Sequence, residues 1–445
     1  MKKNKKLRII QLSALIFLTI SGGPYGLESL ISYVGNNGAL VLLLITPILW
    51  DIPTILTVLE LNSLMPVTGG YYHWVKHALG LRFAWYEGWW TWLYTFVDLA
   101  IYPVLFMEYL TFFAPEAQSF KIPICLLIIW GSAYLNIRGI LLVGKTAVLL
   151  GFMVLTPFVI LLFYYLFNYN NLPEVVIPYH NNSNFSAIGL GLYTIMWNFL
   201  GWDNVTTYAE EVSKPIRTYL ISVITAFSTI FIVYLFVILI SIHSGIDHSV
   251  LSEKGFPALG EIIAGRWLGI MMAIGGMASG LGLYSSVLLS VSRVPQAMAE
   301  DSLLPKKLHT IHPKYGTPYF SIFCCSVVVS FMIVFPFSEL IIMDVIIYGA
   351  ALFLEFISLI VLRHKMSLNF RPFRIPLKIP GLILMILLPV SVYITALTGT
   401  LMKEGGSTRP VIIAICMLLT AEILWRLIIW QNPNILKFPS NQTHI

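Results

Sequence analysis

The chain has 445 residues, of which 58% are hydrophobic and only 11% charged, with a formal net charge of +6. So little polar surface cannot cover a soluble particle of this size, which excludes a water-soluble globular protein. Nor does the positive charge mark a nucleic-acid partner, because it is concentrated on one set of loops.

Apolar runs long enough to cross a hydrocarbon core of about 30 Å as helices recur from end to end. They are expected at 10–33, 39–60, 84–110, 121–137, 143–167, 187–209, 218–242, 265–293, 318–336, 339–361, 380–401 and 410–430, giving an all-α membrane protein of about 12 transmembrane helices. The basic start, Met1 to Arg8, has the flavour of a signal peptide. No small-residue cleavage site follows it and the apolar run continues to Val34, so the first span is read as uncleaved. The connections are too short for a separate soluble domain. With the amino terminus in the cytoplasm, 22 of the 27 Lys and Arg residues fall on that side. This bias places both termini, 1–9 and 431–445, in the cytoplasm and the chain in the cell membrane, with lipid around it.

Two spans are interrupted at mid-depth. In the first, Ser21-Gly22-Gly23-Pro24-Tyr25-Gly26 brings three glycines and a proline where a helix needs neither. In the sixth, Asn198-Phe199-Leu200-Gly201-Trp202-Asp203-Asn204 brings a glycine and a carboxylate to a comparable depth. Non-helical backbone survives in a membrane only where protein or a watery cavity satisfies it, so each break should line an internal site. Breaks five spans apart point to an inverted repeat, 10–167 and 187–361, with the last two helices, 380–430, peripheral. Close helix packing is the plainer use of a membrane glycine and the competing reading, above all for the single Gly201.

Ionisable residues inside spans are costly and mark functional sites by default. Here they are acidic: Glu28, Asp51, Glu87, Asp98, Glu108, Asp203, Asp344, Glu355 and Glu422, with no Lys or Arg near a span centre. Such an interior attracts cations, whether protons, sodium or substrate ammonium groups. Glu87, Thr91, Tyr94, Asp98, Tyr102 and Tyr109 recur at helical spacing on the third span, as do Asp344, Tyr348, Ala351, Glu355 and Ser358 on the tenth, so both faces should look inward. The small-residue face Gly275, Ser279, Gly282 and Ser286 of the eighth is read as tight helix packing. Glu87 and Glu108, near span ends, suit an interfacial place better than a mechanistic one. Trp202 has two readings, a gate stacking on a cationic substrate or a packing aromatic.

The four cysteines, Cys125, Cys324, Cys325 and Cys416, lie in spans without metal-ligand spacing. The histidine pairs His73/His77 and His309/His312 have helical spacing but no third ligand, so no metal or cofactor is expected. No zinc-protease motif, phosphate loop or nucleophile elbow supports an enzyme.

Through Ser21-Gly22-Gly23-Pro24-Tyr25-Gly26-Leu27-Glu28 the sequence resembles the amino acid–polyamine–organocation transporter superfamily. Pro66-Val67-Thr68-Gly69-Gly70-Tyr71, Leu135-Asn136-Ile137-Arg138-Gly139, Glu210-Glu211-Val212-Ser213-Lys214-Pro215 and the loop Arg293 to Pro318 agree with it in order. Val97 to Phe106, Trp197 to Asp203 and Arg371-Pro372-Phe373-Arg374-Ile375-Pro376 look most like its polyamine uptake branch. The resemblance implies a LeuT-like fold, a five-plus-five inverted repeat with broken helices 1 and 6, that works by alternating access. In amino-acid members the broken backbone receives the substrate, which here would be Ser21, Gly22, Gly23, Tyr25 and Gly26 with Asn198, Gly201 and Trp202. A polyamine has no carboxylate, so Glu28, Asp98 and Asp203 would hold its ammonium groups while Tyr25, Tyr102 and Trp202 pack on its methylenes. The lysine that some proton-coupled members carry inside the fifth helix has no counterpart, since Lys145 lies near the cytoplasmic end. Asp51 has no role in the resemblance.

The expected function is a secondary active permease for polyamines or other organic cations, coupled to a proton or sodium. An amino acid permease or exchanger is the alternative, and a channel a more distant one.

Overall fold

The computed structural model describes residues 6–168, 184–213, 215–366, 372–402 and 408–433. Residues 1–5 and 434–445 of the two expected tails, and Lys214 and Arg371 of the motifs above, lie outside the described residues. Among the described residues there is no strand, only two isolated backbone bridges, Leu7 to Val212 and Thr68 to Tyr208.

Helix α1 (Ile9–Ile20) stops where Gly22, Gly23 and Gly26 take positive φ of 58°, 96° and 88° around Pro24. Helix α2 (Glu28–Thr46) restarts on Glu28. The first two spans were expected to be separated by a loop, but only Gly35, at φ 71° and ψ 178°, interrupts the helix between them. A residue with a Cβ is strained at that φ, so a single glycine replaces a longer connection. At Pro47–Asp51 the ladder widens into a π-type turn before α3 (Ile52–Leu64). Pro53 has no N–H to return to Leu49, which is the local cause.

A short α4 (Tyr71–Leu79) precedes the long α5 (Leu81–Phe113), then α6 (Lys121–Ile137), α7 (Ile140–Asn168) and α8 (Phe185–Trp197). After the second break come α9 (Pro215–Ser244), α10 (His248–Ala264), α11 (Arg266–Val291) and the short α12 (Val294–Glu300). The chain closes with α13 (Tyr319–Met332), α14 (Phe337–Lys365), α15 (Ile379–Leu401) and α16 (Arg409–Gln431). Among the described residues nine helical stretches are long and apolar enough to cross a membrane, and Ile9–Ile20, Phe185–Trp197 and Tyr319–Met332 are shorter apolar helices.

Helix α5 packs at the centre between α11 and α14, with α1 against α7, α9 and α11 and with α2 against α8. The most apolar stretch within Arg266–Glu300 is 83% buried and that within Arg409–Gln431 only 17%, so α11 is interior and α16 is exposed along most of its length. Glu422 of α16 is not an interior charge, because Arg82 and Arg426 donate to it at 2.8 Å each.

Candidate functional site

The two breaks meet. Tyr234 of α9 sets its hydroxyl 2.7 Å from Ser21 Oγ and 3.2 and 3.1 Å from the carbonyl oxygens of Gly23 and Asn198. One phenol thus ties both interruptions together. Nothing in the apolar seventh span singles Tyr234 out, and only the fold shows its place.

Between the breaks lies a nearly closed cavity of about 10 Å³, room for about one water molecule. Its wall is made by Thr19 to Ser21, by Trp197, Asn198, Leu200, Gly201 and Asn204, by Tyr94, Asp98 and Tyr102 of α5, by Leu283 of α11, and by Asp344 and Tyr348 of α14. Five of the expected site residues are therefore together: Ser21, Asp98, Tyr102, Asn198 and Gly201. The Tyr102 hydroxyl donates to Asp98 Oδ2 at 2.5 Å. Across the cavity Asp344 has an oxygen, Oδ1, that no donor reaches. Both carboxylates are buried, and no basic side chain lines the cavity with them. The helical stripe on the tenth span contained the signal for Asp344 and Tyr348, but periodicity alone could not show that they face Asp98.

The remaining expected residues lie elsewhere. Gly22 packs against Ser279 and Leu283, and Gly23 against Val154. Tyr25 turns away to donate to the Met272 carbonyl at 2.6 Å, its ring edge-on to Tyr109 and Phe158. Trp202 is 1% exposed and its indole N–H points at Asp51 Oδ1, 3.3 Å away, with its ring against Phe227. In this conformation Trp202 is a packing aromatic, and Asp51, held in the π-type turn, is its partner. Asp203 sits behind the cavity, where Tyr348 donates to its Oδ1 at 2.7 Å.

Glu28 accepts from the Gly26 N–H at 2.6 Å, the Tyr109 hydroxyl at 2.8 Å and the Phe256 N–H at 3.2 Å. Its carboxylate is thereby engaged as a latch joining the start of α2 to α5 and α10. Two further amides of the first break are taken: Gly22 N–H donates to Phe17 O and Gly23 N–H to Ser21 Oγ. An incoming carboxylate would have to displace these internal oxygens.

Gly26 and Glu28 line a larger cavity of about 560 Å³ together with Glu108, Glu253, Glu261, Arg266 and Phe337. It lies on the face away from the amino terminus. Trp197, from the wall of the central cavity, packs edge-on at 5.6 Å against Phe337, from the wall of the larger one. The face that carries the amino terminus is tied shut. Arg293 donates to Glu211 at 2.6 and 2.8 Å, Lys76 meets Asp301 at 2.6 Å, and Leu7 exchanges backbone hydrogen bonds with Glu211 and Ser213. On this face burial, and then the neighbouring Lys76, push His73 down to about 4. Among the described residues no group of three His, Cys, Asp or Glu is placed to hold a metal ion.

Helices that cross a membrane and break halfway, around a polar chamber sealed at one face, are the build of a multi-pass membrane transporter. A sequence profile of the amino acid permease family matches residues 7–421. Polyamine transporter RMV1 of Arabidopsis thaliana is 30% identical over 403 residues, 89% of this chain and 80% of the relative. Probable polyamine transporter At3g19553 of the same plant is 32% identical over 393 residues, 87% and 81% of the two chains. Polyamine transporter PUT1 of Oryza sativa subsp. japonica is 30% identical over 399 residues, 89% of this chain and 74% of the relative. The chain belongs to the amino acid permease family, within the amino acid–polyamine–organocation superfamily.

Proposed function

We propose that this transporter is a secondary active permease that moves polyamines or other organic cations by alternating access, driven by a coupled cation. The observation that carries this reading is the wall of the central cavity. Asp98 and Asp344 face it with no basic side chain, while the Gly23 and Gly26 amides of the first break are engaged by the chain's own oxygens. A chamber built in this way favours several ammonium groups over a zwitterion. The names of the plant relatives point the same way.

On this reading the nine long helices and the three shorter ones make twelve crossings. Residues 10–167 and 187–361 form the two inverted repeats, with α15 and α16 outside them. Both termini lie in the cytoplasm of a cell membrane protein, so the tied face is cytoplasmic and the larger cavity opens outward. The central cavity holds about one water here, and the substrate enters when the Trp197–Phe337 contact parts.

An amino acid permease or exchanger is the second reading, favoured by the family itself. A channel is the third. Counterflow separates the last from the others. Proteoliposomes preloaded with unlabelled putrescine should take up labelled putrescine saturably and transiently above equilibrium. A non-saturating current without counterflow would refute a permease.

A further inference from the structure

Helices α5 and α14 each carry two acids eleven residues apart: Glu87 and Asp98 on one, Asp344 and Glu355 on the other. Eleven residues are about three turns, so each pair shares a helix face and is separated by about 16 Å. The helices run antiparallel and pack together, which makes two tiers. Asp98 and Asp344 form the tier at the central cavity. Glu87 and Glu355 form a second tier nearer the amino-terminal face, and the α8 break contributes Asp203 to it.

We propose that this second tier, Glu355 with Asp203 and Glu87, is where the transporter carries a proton, apart from the substrate. The inference rests on the alternating-access reading above. Glu355 is 0% exposed, and no hydrogen-bond donor reaches either of its oxygens. Its neighbours are other acids, Asp203 at the α8 break and Glu87 of α5. A buried carboxylate with neither a donor nor a counter-charge is accommodated by taking up a proton.

Glu87 has an oxygen without a partner as well, its other oxygen accepting from the Thr91 hydroxyl at 3.3 Å. Tyr71 of α4 and Tyr348 of α14 are the further titratable groups beside them. No Lys, Arg or His is in this set. Arg363, two turns along α14 from Glu355, is held by Glu60 at 2.5 and 2.6 Å. Like charges held close together away from water repel strongly, so the tier needs a cation. Among the described residues no three carboxylates converge as metal ligands do, and a proton is the cation that needs no coordination sphere.

The tier is also wired to the substrate cavity. Tyr348 donates to Asp203 and accepts from the Gly201 N–H at 3.4 Å, and Gly201 lines that cavity. A proton taken up from one face as the carboxylates come together is released to the other when the α8 break moves and separates them. One proton enters and one leaves per cycle.

The test uses the full chain in proteoliposomes, as wild type, Glu355→Gln and Glu355→Asp, with labelled putrescine and arginine as probes and a trapped pH dye. Each unit of inward pH gradient should drive about tenfold accumulation per coupled proton in the wild type. E355Q should lose this accumulation and the dye signal while keeping counterflow, and E355D should regain both. Gradient-driven accumulation by E355Q equal to the wild type would overturn the proposal. Should no protein move either probe, the transport reading is what fails, and infrared difference spectra between low and high pH then decide the proton site. A carboxylic acid C=O band present in the wild type and absent from E355Q supports it. The same band in both overturns it.

Discussion

Replacing Asp98 by asparagine should abolish cation uptake by the purified transporter while leaving its size-exclusion profile unchanged. Asp98 is buried at the cavity wall, and its anchor, the Tyr102 hydroxyl, can donate equally well to an amide oxygen. The shape of the site is kept and its charge is lost. Removing one member of a desolvated charge pair costs about 2–5 kcal/mol, which at about 1.4 kcal/mol per tenfold is about 30- to 3,000-fold in uptake below saturation. Asp344→Asn should behave similarly, since its free oxygen faces the same space. Uptake of D98N within about twofold of the wild type would mean that the ammonium groups bind elsewhere, because a lost ion pair of this kind is not that small.

Arg363→Ala should be the most damaging substitution for stability among those considered. Arg363 and Glu60 have side chains 3% and 0% exposed and form a bidentate pair at 2.5 and 2.6 Å. The same guanidinium donates to the carbonyls of Leu377 at 2.7 Å and Ile375 at 2.9 Å, while the Ile375 N–H returns to Glu60 at 2.9 Å. The pair thus clamps the segment after α14 against the end of α3. Truncating one partner leaves a buried charge, at a cost of about 3–5 kcal/mol. The thermal midpoint in detergent should fall sharply for R363A and recover in part for the double variant with Glu60→Ala, in which no charge is stranded. Equal damage from the single and double variants would show that the carbonyl contacts, not the ion pair, hold the segment.

Much of the fold was legible because lipid leaves few choices. The spans follow from run length, and the first break from three glycines and a proline that no membrane helix needs at its middle. The polar stripes on α5 and α14 were legible because a helix repeats every 3.6 residues. What the sequence could not show is which stripe faces which, since that depends on contacts between residues far apart in the chain. Asp98 meeting Asp344 across one cavity is such a contact, and Trp202 meeting Asp51 is another. Glu28 was expected to bind substrate because it follows the first break, but the donors that occupy it come from α5 and α10 as well as its own turn. Glu87 was expected at an interface because it lies near a span end, yet it is 0% exposed. The Glu60–Arg363 clamp spans 303 positions, and neither residue stands out at the end of an apolar run.

The most direct test of the central claim is uptake into proteoliposomes of labelled putrescine and spermidine, beside arginine, leucine and serine, with and without an inward proton gradient. Saturable polyamine uptake that rises with the gradient is the predicted result. Uptake of amino acids alone would contradict it, and would return the substrate to the backbone of the two breaks.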